Sequence, residues 1–253
     1  MRILITNDDG IHAPGLAVLE RIAHKLTDDV IVVAPETDQS GVAHSMSLND
    51  PLRLREVSPE RYAVRGTPTD CVIMGVRHIL NARPDLILSG VNRGANVAED
   101  VTYSGTIAGA MEGTLFGIPS IALSQAFGPT TGRMGILWGC AEAHGAAVVS
   151  RILDLGIPPD ILVNVNFPDR QPEEVKGVAV TVQGKRDSEL MNVEERKDGR
   201  GLPYYWLTFA RRPFAPGHGT DLEALSQGRI SITPLRLDLT DEPTLTRYAA
   251  AFG

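Results

Sequence analysis

Short apolar runs, bounded by turn residues and separated by segments of helical spacing, set the rhythm of the first two thirds of the chain. Arg2–Thr6 (RILIT), Val30–Ala34 (VIVVA), Asp85–Val91 (DLILSGV), Pro119–Ser124 (PSIALS) and Asp160–Val165 (DILVNV) read as buried strands. Their apolar character is continuous rather than alternating, as expected of strands covered on both faces. Between them, Leu16, Leu19, Ile22, Ala23 and Leu26 recur at helical spacing. Pro68 stands where a helix begins, with Thr67 as its cap, and Cys71, Val72, Met74, Gly75 and Ile79 carry that helix to about Leu80. Ser104 caps a helix over Gly105–Phe116 that stops at Gly117, and Gly135–Leu155 is a long helix rich in small residues. This alternation predicts an α/β fold, a Rossmann-like and mostly parallel sheet sandwiched by helices.

The texture changes after the fifth strand. Val178–Gln183 (VAVTVQ) and Tyr204–Ala210 (YYWLTFA) are expected to be antiparallel strands. The charged, turn-rich run GKRDSELMNVEERKDGRGLP between them reads equally as a projecting hairpin or as a solvated loop. Ile230–Leu235 and a Thr244–Phe252 tail finish the chain. No repeat, low-complexity tract or linker divides it. Residues 1–253 are therefore expected to form one domain, with a hairpin at approximately 178–215 and a C-terminal tail at 236–253 serving as oligomer contacts.

An apolar share of 43% in 253 residues allows a sizeable core. The net charge of −7 supplies no basic surplus to neutralise duplex nucleic acid, but it leaves room for small anions met locally by a metal or a helix terminus. Cys71 and Cys140 lie far apart without CxxC spacing, which argues against a disulfide framework and a thiolate zinc site; both read as small buried apolar residues. The start, MRILITNDDG, has no signal-peptide core, and no apolar run nears the roughly 20 residues that span a bilayer. No membrane partner and a cytoplasmic address are expected.

In parallel α/β sheets ligands bind beyond the carboxyl ends of the strands, so the polar residues after each strand share one crevice. These are Asn7-Asp8-Asp9-Gly10 after the first strand and PETDQSG, ending at Ser40-Gly41, after the second. Asn92-Arg93-Gly94-Ala95-Asn96 and then Ser104-Gly105-Thr106 follow the third. Adjacent carboxylates such as Asp8 and Asp9 raise each other's pKa unless a cation lies between them. Taken alone, the doublet is explained as well by a helix cap or an Asx-turn before Gly10. With the oxygen donors of Ser40 and Asn92 it suits one Mg²⁺ or Mn²⁺; zinc is less favoured, because His12 and His44 have no partner at ligand spacing.

Ser104-Gly105-Thr106 opens a helix, so its amides, hydroxyls and dipole suit a phosphate, the alternative being a plain cap. Gly66–Asp70 and Asp221 (in GHGTDLEAL) read as structural helix starts, and His12 and His44 as surface or supporting residues. The dinucleotide GxGxxG, the P-loop GxxxxGK[ST] and the GxSxG nucleophile elbow are all absent, and Asp8-Asp9 lacks the spacing of a DxD phosphatase motif.

Five long motifs resemble the SurE stationary-phase survival family nearly end to end. They are TNDDGIHAPG (6–15), APETDQSGVAHSMSL (34–48), GTPTDCV (66–72), SGVNRGANVAEDVTYSGTIAGAMEG (89–113) and GTDLEALSQGRISITPL (219–235). The resemblance implies a Rossmann-like, metal-dependent nucleotidase hydrolysing nucleoside 5′- and 3′-monophosphates, with one divalent cation per subunit. The family's metal ligands fall on Asp8, Asp9, Ser40 and Asn92, and its phosphate surround on Asn96, Ser104, Gly105 and Thr106. It further implies a homodimer or homotetramer that exchanges C-terminal arms. Arg93 departs from the family, where this position can be small.

The reaction expected is metal-assisted phosphomonoester hydrolysis, with Asp8 and Asp9 as catalytic residues. Two rivals remain at this stage: a non-catalytic nucleotide or phosphate sensor using the same loops, and a metal-dependent sugar transferase, for which no nucleotide-sugar pocket is legible. Binding and hydrolysis call for the same donors, so residue types alone do not separate the enzyme from the sensor.

Overall fold

A computed structural model describes residues 1–128, 132, 135–186, 191–209 and 215–253. Strand β1 (Ile3–Thr6) is fully buried and pairs in parallel with β2 (Val30–Pro35) on one side and β5 (Leu86–Arg93) on the other. Beyond β5 come β6 (Ser120–Gln125) and β7 (Ile161–Phe167), both parallel to it, each an apolar run expected from the sequence. The chain runs outward from β1 to β2 and then returns to β1's other side as β5. The order therefore reverses between β1 and β5, and the loops that leave these two tips diverge and open a crevice.

Helices cover both faces. Helix α1 (Pro14–His24) starts two residues before the expected Leu16, because Pro14 suits a first-turn position whose N–H has no partner in any case. It packs with α4 (Trp138–Leu155) over Ile3, Ile5, Val32, Leu88 and Leu123. On the opposite face α2 (Pro68–Met74) covers Leu4, Val33 and Ile87, while α3 (Gly105–Leu115) sits on Ala122 and Leu162. Ile3 and Ile5 serve one layer and Leu4 the other, as the two-residue period of a strand dictates.

Several expectations change. Helix α2 does not reach Leu80 as a single α-helix; it widens into a π-turn over Gly75–Ile79. Two strands escaped the pattern altogether, β3 (Arg53–Ser58) and β4 (Arg61–Arg65), which form a hairpin on the sheet edge beside β2. Strand β3 is almost wholly exposed and rich in arginine, so no apolar run announced it.

The expected strand from Val178 keeps only Val178–Val180, here β8, and it pairs in parallel with the strand from Ile230. Strand direction is set by the partner, and the local sequence carried no record of which partner that would be. The charged run resolves as a strand, β9 (Met191–Lys197), paired antiparallel with β10 (Pro203–Phe209) in a separate two-stranded sheet; Ala210 lies outside the described residues. After α5 (Asp221–Ser226), β11 (Ile230–Arg236) returns antiparallel to β7. The tail is a helix, α6 (Glu242–Phe252), with no buried residue.

Candidate active site

Asp8 and Asp9 emerge where β1 ends. Asp8 is only 4% exposed, and its Oδ1 accepts a 2.6 Å hydrogen bond from the hydroxyl of Thr106 at the start of α3. Burial, reinforced by the negative charges of Asp9 and Asp38, pushes the Asp8 carboxyl up to about 7, although the Thr106 bond acts in the other direction. The α3 backbone comes so close that a Cβ on Gly105 would lie 2.8 Å from the Asp8 Cβ, so only glycine fits there. Asp9 is less enclosed, and its Oδ2 accepts the backbone N–H of Arg93 at 3.0 Å, joining the tips of β1 and β5.

Asn92 reaches the crevice because β5 is irregular. Its register against β6 shifts between Ser89 and Asn92, around Gly90, whose φ of +137° and close approach to the Leu123 carbonyl admit no side chain. The Asn92 amide nitrogen donates to the Gly94 carbonyl at 2.8 Å, which leaves its carbonyl oxygen as the outward-facing acceptor. The Ser40 hydroxyl donates to Asp38 at 2.6 Å, so its oxygen keeps lone pairs for a cation.

One cavity of about 200 Å³ is lined by Asp8, Ser40, Asn92, Asn96 and Ser104, together with Arg93. Five of the eight sequence-predicted site residues thus face a common space. The remaining three, Asp9, Gly105 and Thr106, are outside that lining, Asp9 half-buried beside Asp8 and the other two buried in the first turn of α3. Thr106 is fully buried and spends its hydroxyl on Asp8, so it orients a carboxylate rather than offering a donor to the cavity. Asn96 is also anchored: its side-chain nitrogen donates to Ser124 Oγ, its N–H to Asn166 Oδ1, and its carbonyl accepts from Asn164 and Asn166.

The donor set fits a hard divalent cation. Among the described residues no three His, Cys, Asp or Glu side chains converge, which leaves two carboxylates, a hydroxyl and an amide carbonyl, all oxygen. The Asp8 carboxyl is buried, and the negative charges of Asp9 and Asp38 further oppose its ionised form, a conflict that a cation resolves. Asn7, fully buried directly before the pair, also has an Oδ1 without a hydrogen-bond partner.

The supporting residues were harder to read from the sequence. The loop that carries Ser40 is fastened at three points: His44 Nε2 meets Glu112 Oε2 of α3 at 2.9 Å, the Ala43 N–H donates to the Tyr103 carbonyl, and Ser47 donates to Asp70 through both its N–H and its hydroxyl. Thr67 caps α2 as expected, and Asp70 completes a capping box with it, so that helix start is structural and also a loop anchor. Asp221 does more than start α5: it accepts the N–H groups of Ala98 and Gly184 and ties the cavity's 97–100 segment to the C-terminal half. Arg186, 10% exposed, adds a 2.7 Å contact to Asp100. One clue was present, since Asn164 and Asn166 alternate along a buried strand and so share one face.

The family described as Survival protein SurE matches residues 3–190. A protein from Methylorubrum populi named 5′-nucleotidase SurE is 70% identical over 253 residues, covering 100% of this chain and 99% of its own. A protein of the same name from Methylobacterium nodulans is 69% identical, with 100% of both chains covered. The crystal structure of a SurE protein from Aquifex aeolicus superposes with a TM-score of 0.85 at 42% identity, over 100% of both chains.

Proposed function

This chain belongs to the Survival protein SurE family, and from that premise we propose that it is a nucleotidase, a phosphoric monoester hydrolase that releases phosphate from nucleoside 5′- and 3′-monophosphates. The observation that carries this reading is the convergence of Asp8, Ser40, Asn92 and Ser104 from three separate strand tips and a helix start onto one cavity. An acidic cluster beside a helix N-terminus is a poor anion site alone and a good one once a cation is held between them.

Asp8, Asp9, Ser40 and Asn92 would hold one Mg²⁺ or Mn²⁺ per subunit. When bound, such an ion polarises the phosphoryl group and lowers the pKa of a coordinated water. The protein's own contribution is orientation. Thr106 fixes the Asp8 carboxylate and the Arg93 N–H fixes Asp9, while the Ser104 hydroxyl caps α3 by accepting the Ile107 N–H, so that the positive end of the α3 dipole, at Ser104 in the lining, would favour the charge that develops during phosphoryl transfer. Arg93, in the lining, is placed to offer a second charge to the phosphate and to tune substrate choice. The reading further takes the enzyme to act in the cytoplasm as a homodimer or homotetramer. Among the described residues no helix is long and apolar enough to cross a membrane.

The test is phosphate release from a panel of mononucleotides with Mn²⁺. The parent protein is expected to turn over, EDTA to stop it, and Asp8→Asn to lower kcat by roughly 10³-fold, the worth of several kcal/mol of transition-state stabilisation. Full activity in Asp8→Asn, or in EDTA, overturns the metal-assisted reading. Nucleotide binding without phosphate release would identify a sensor instead.

A further inference from the structure

On the far side of the Ser40 loop the edge hairpin carries four arginines. Arg55 pairs with Glu36 and Arg61 with Glu20. Arg53 and Arg65 differ: they stand directly opposite each other in the β3–β4 register, and neither side chain has a hydrogen bond or ion pair among the described residues. Side chains in that relation have Cβ atoms about 5 Å apart, where like charges repel and destabilise a hairpin. Both line a cavity of about 370 Å³ with Gln39, Ser47, Asp50 and Thr67, a size within the roughly 300–1,000 Å³ range of small-molecule sites. Asp50 is the one acid in this lining, so the lining keeps a net positive charge.

This cavity and the metal cavity lie on two sides of one loop. Gln39 and Ser47 line the first while Ser40 and Gly41 line the second, and the Gln39 N–H donates to the Asp8 carbonyl at 2.8 Å. The tips of β4 and β1 are two strand spacings apart, about 10 Å.

We propose that Arg53 and Arg65 form a second phosphate-binding site, separate from the catalytic cavity and sharing its Ser40 loop. Two guanidinium groups offer planar forks that match phosphate oxygens bidentately, which accounts for two like charges kept opposite each other and outnumbering the single acid of the lining, Asp50. The phosphate comes either free, as inorganic phosphate, or as the second phosphate of a nucleotide whose first lies at the catalytic site. The inference rests on the proposed nucleotidase reading only in that second source.

Titration of inorganic phosphate into the full chain in EDTA tests the site without requiring turnover, so it can fail or succeed independently of the catalytic reading. The combined Arg53→Gln and Arg65→Gln changes, both at exposed positions, are expected to weaken phosphate binding roughly tenfold or more, the worth of a lost charge-assisted contact. Arg55→Gln, which removes the same charge from a paired neighbour, should leave the isotherm unchanged. Kinetics separate the two sources. A raised KM for a nucleoside 3′,5′-bisphosphate in the double variant, with an unchanged KM for a 5′-monophosphate, assigns the phosphate to the nucleotide; loss of inorganic phosphate binding alone assigns it to the free anion. Identical isotherms and identical bisphosphate KM values in parent and double variant overturn the proposal. Equal weakening by Arg55→Gln overturns it as well, since that outcome describes diffuse surface charge.

Discussion

The contact between Thr106 and Asp8 shows how much a single side chain decides here. At 2.6 Å and without solvent access, the hydroxyl fixes which way the buried carboxylate turns, and it favours the ionised form that burial opposes. Removing it should be felt at the metal before it is felt in the fold. Thr106→Val is expected to weaken Mn²⁺ binding roughly 10- to 100-fold, as outer-shell losses do, while Thr106→Ser keeps the parent affinity. A calorimetric or electron-paramagnetic Mn²⁺ titration measures this, and equal affinity in all three proteins would assign Thr106 to packing alone. In the sequence Thr106 looked like one more phosphate donor in a helix start. What it donates to depends on a contact with a residue 98 positions away, which no local pattern records.

Among the elements, the one that positions the site is a loop. Ser40 sits on an irregular segment, and its place comes from the fastenings to α3 through Glu112, to α2 through Asp70, and to the Tyr103 carbonyl just before α3. Those partners are ordinary residues in the sequence, a glutamate inside a helix and a cap, and acquire their role when α2 and α3 pack side by side on one face. On the other face α1 and α4 are clamped by a bidentate Arg21–Glu142 contact at 2.8 and 2.9 Å. The Arg21 hydrogen bond holds the Glu142 carboxyl below its ordinary value of 4.5, a depressed folded-state pKa. The stability it contributes is therefore present above that value and lost as pH falls through the lower folded one. Both side chains are partly exposed, so the contribution should be well under about 1 kcal/mol. Glu142→Gln is expected to lower Tm slightly at pH 7, with the gap to the parent closing below pH 4.5; a gap that widens on acidification would contradict the assignment.

For the molecule as a whole, the apolar residues left uncovered stand apart from the cavity. Tyr205, Trp206 and Leu207 on the β9–β10 hairpin are all more than half exposed, and Phe252 at the end of α6 is 90% exposed. A monomer gains nothing by presenting such residues to water, whereas an interface between subunits buries them. If the proposed homo-oligomer uses this hairpin, Trp206→Asp lowers the mass seen by light scattering toward the 27.2 kDa of one chain, and a parent protein already at that mass overturns the oligomer reading. An unaltered mass would direct the search for the contact to α6.

The strand–helix rhythm, the oxygen donors at the strand tips and the caps of α2 and α3 were all legible in the sequence, because each depends on neighbours a few residues away. Short apolar runs bounded by turn residues suit buried strands, and where such strands run parallel the oxygen donors after them gather at one edge. Other features required distant segments to meet: the reversal of strand order between β1 and β5, the parallel pairing of β8, the turning of Thr106 toward Asp8 and the opposition of Arg53 and Arg65. Hydrophobic periodicity specifies which face of an element is buried, and partner identity is settled only when the elements compete for the same surfaces in three dimensions.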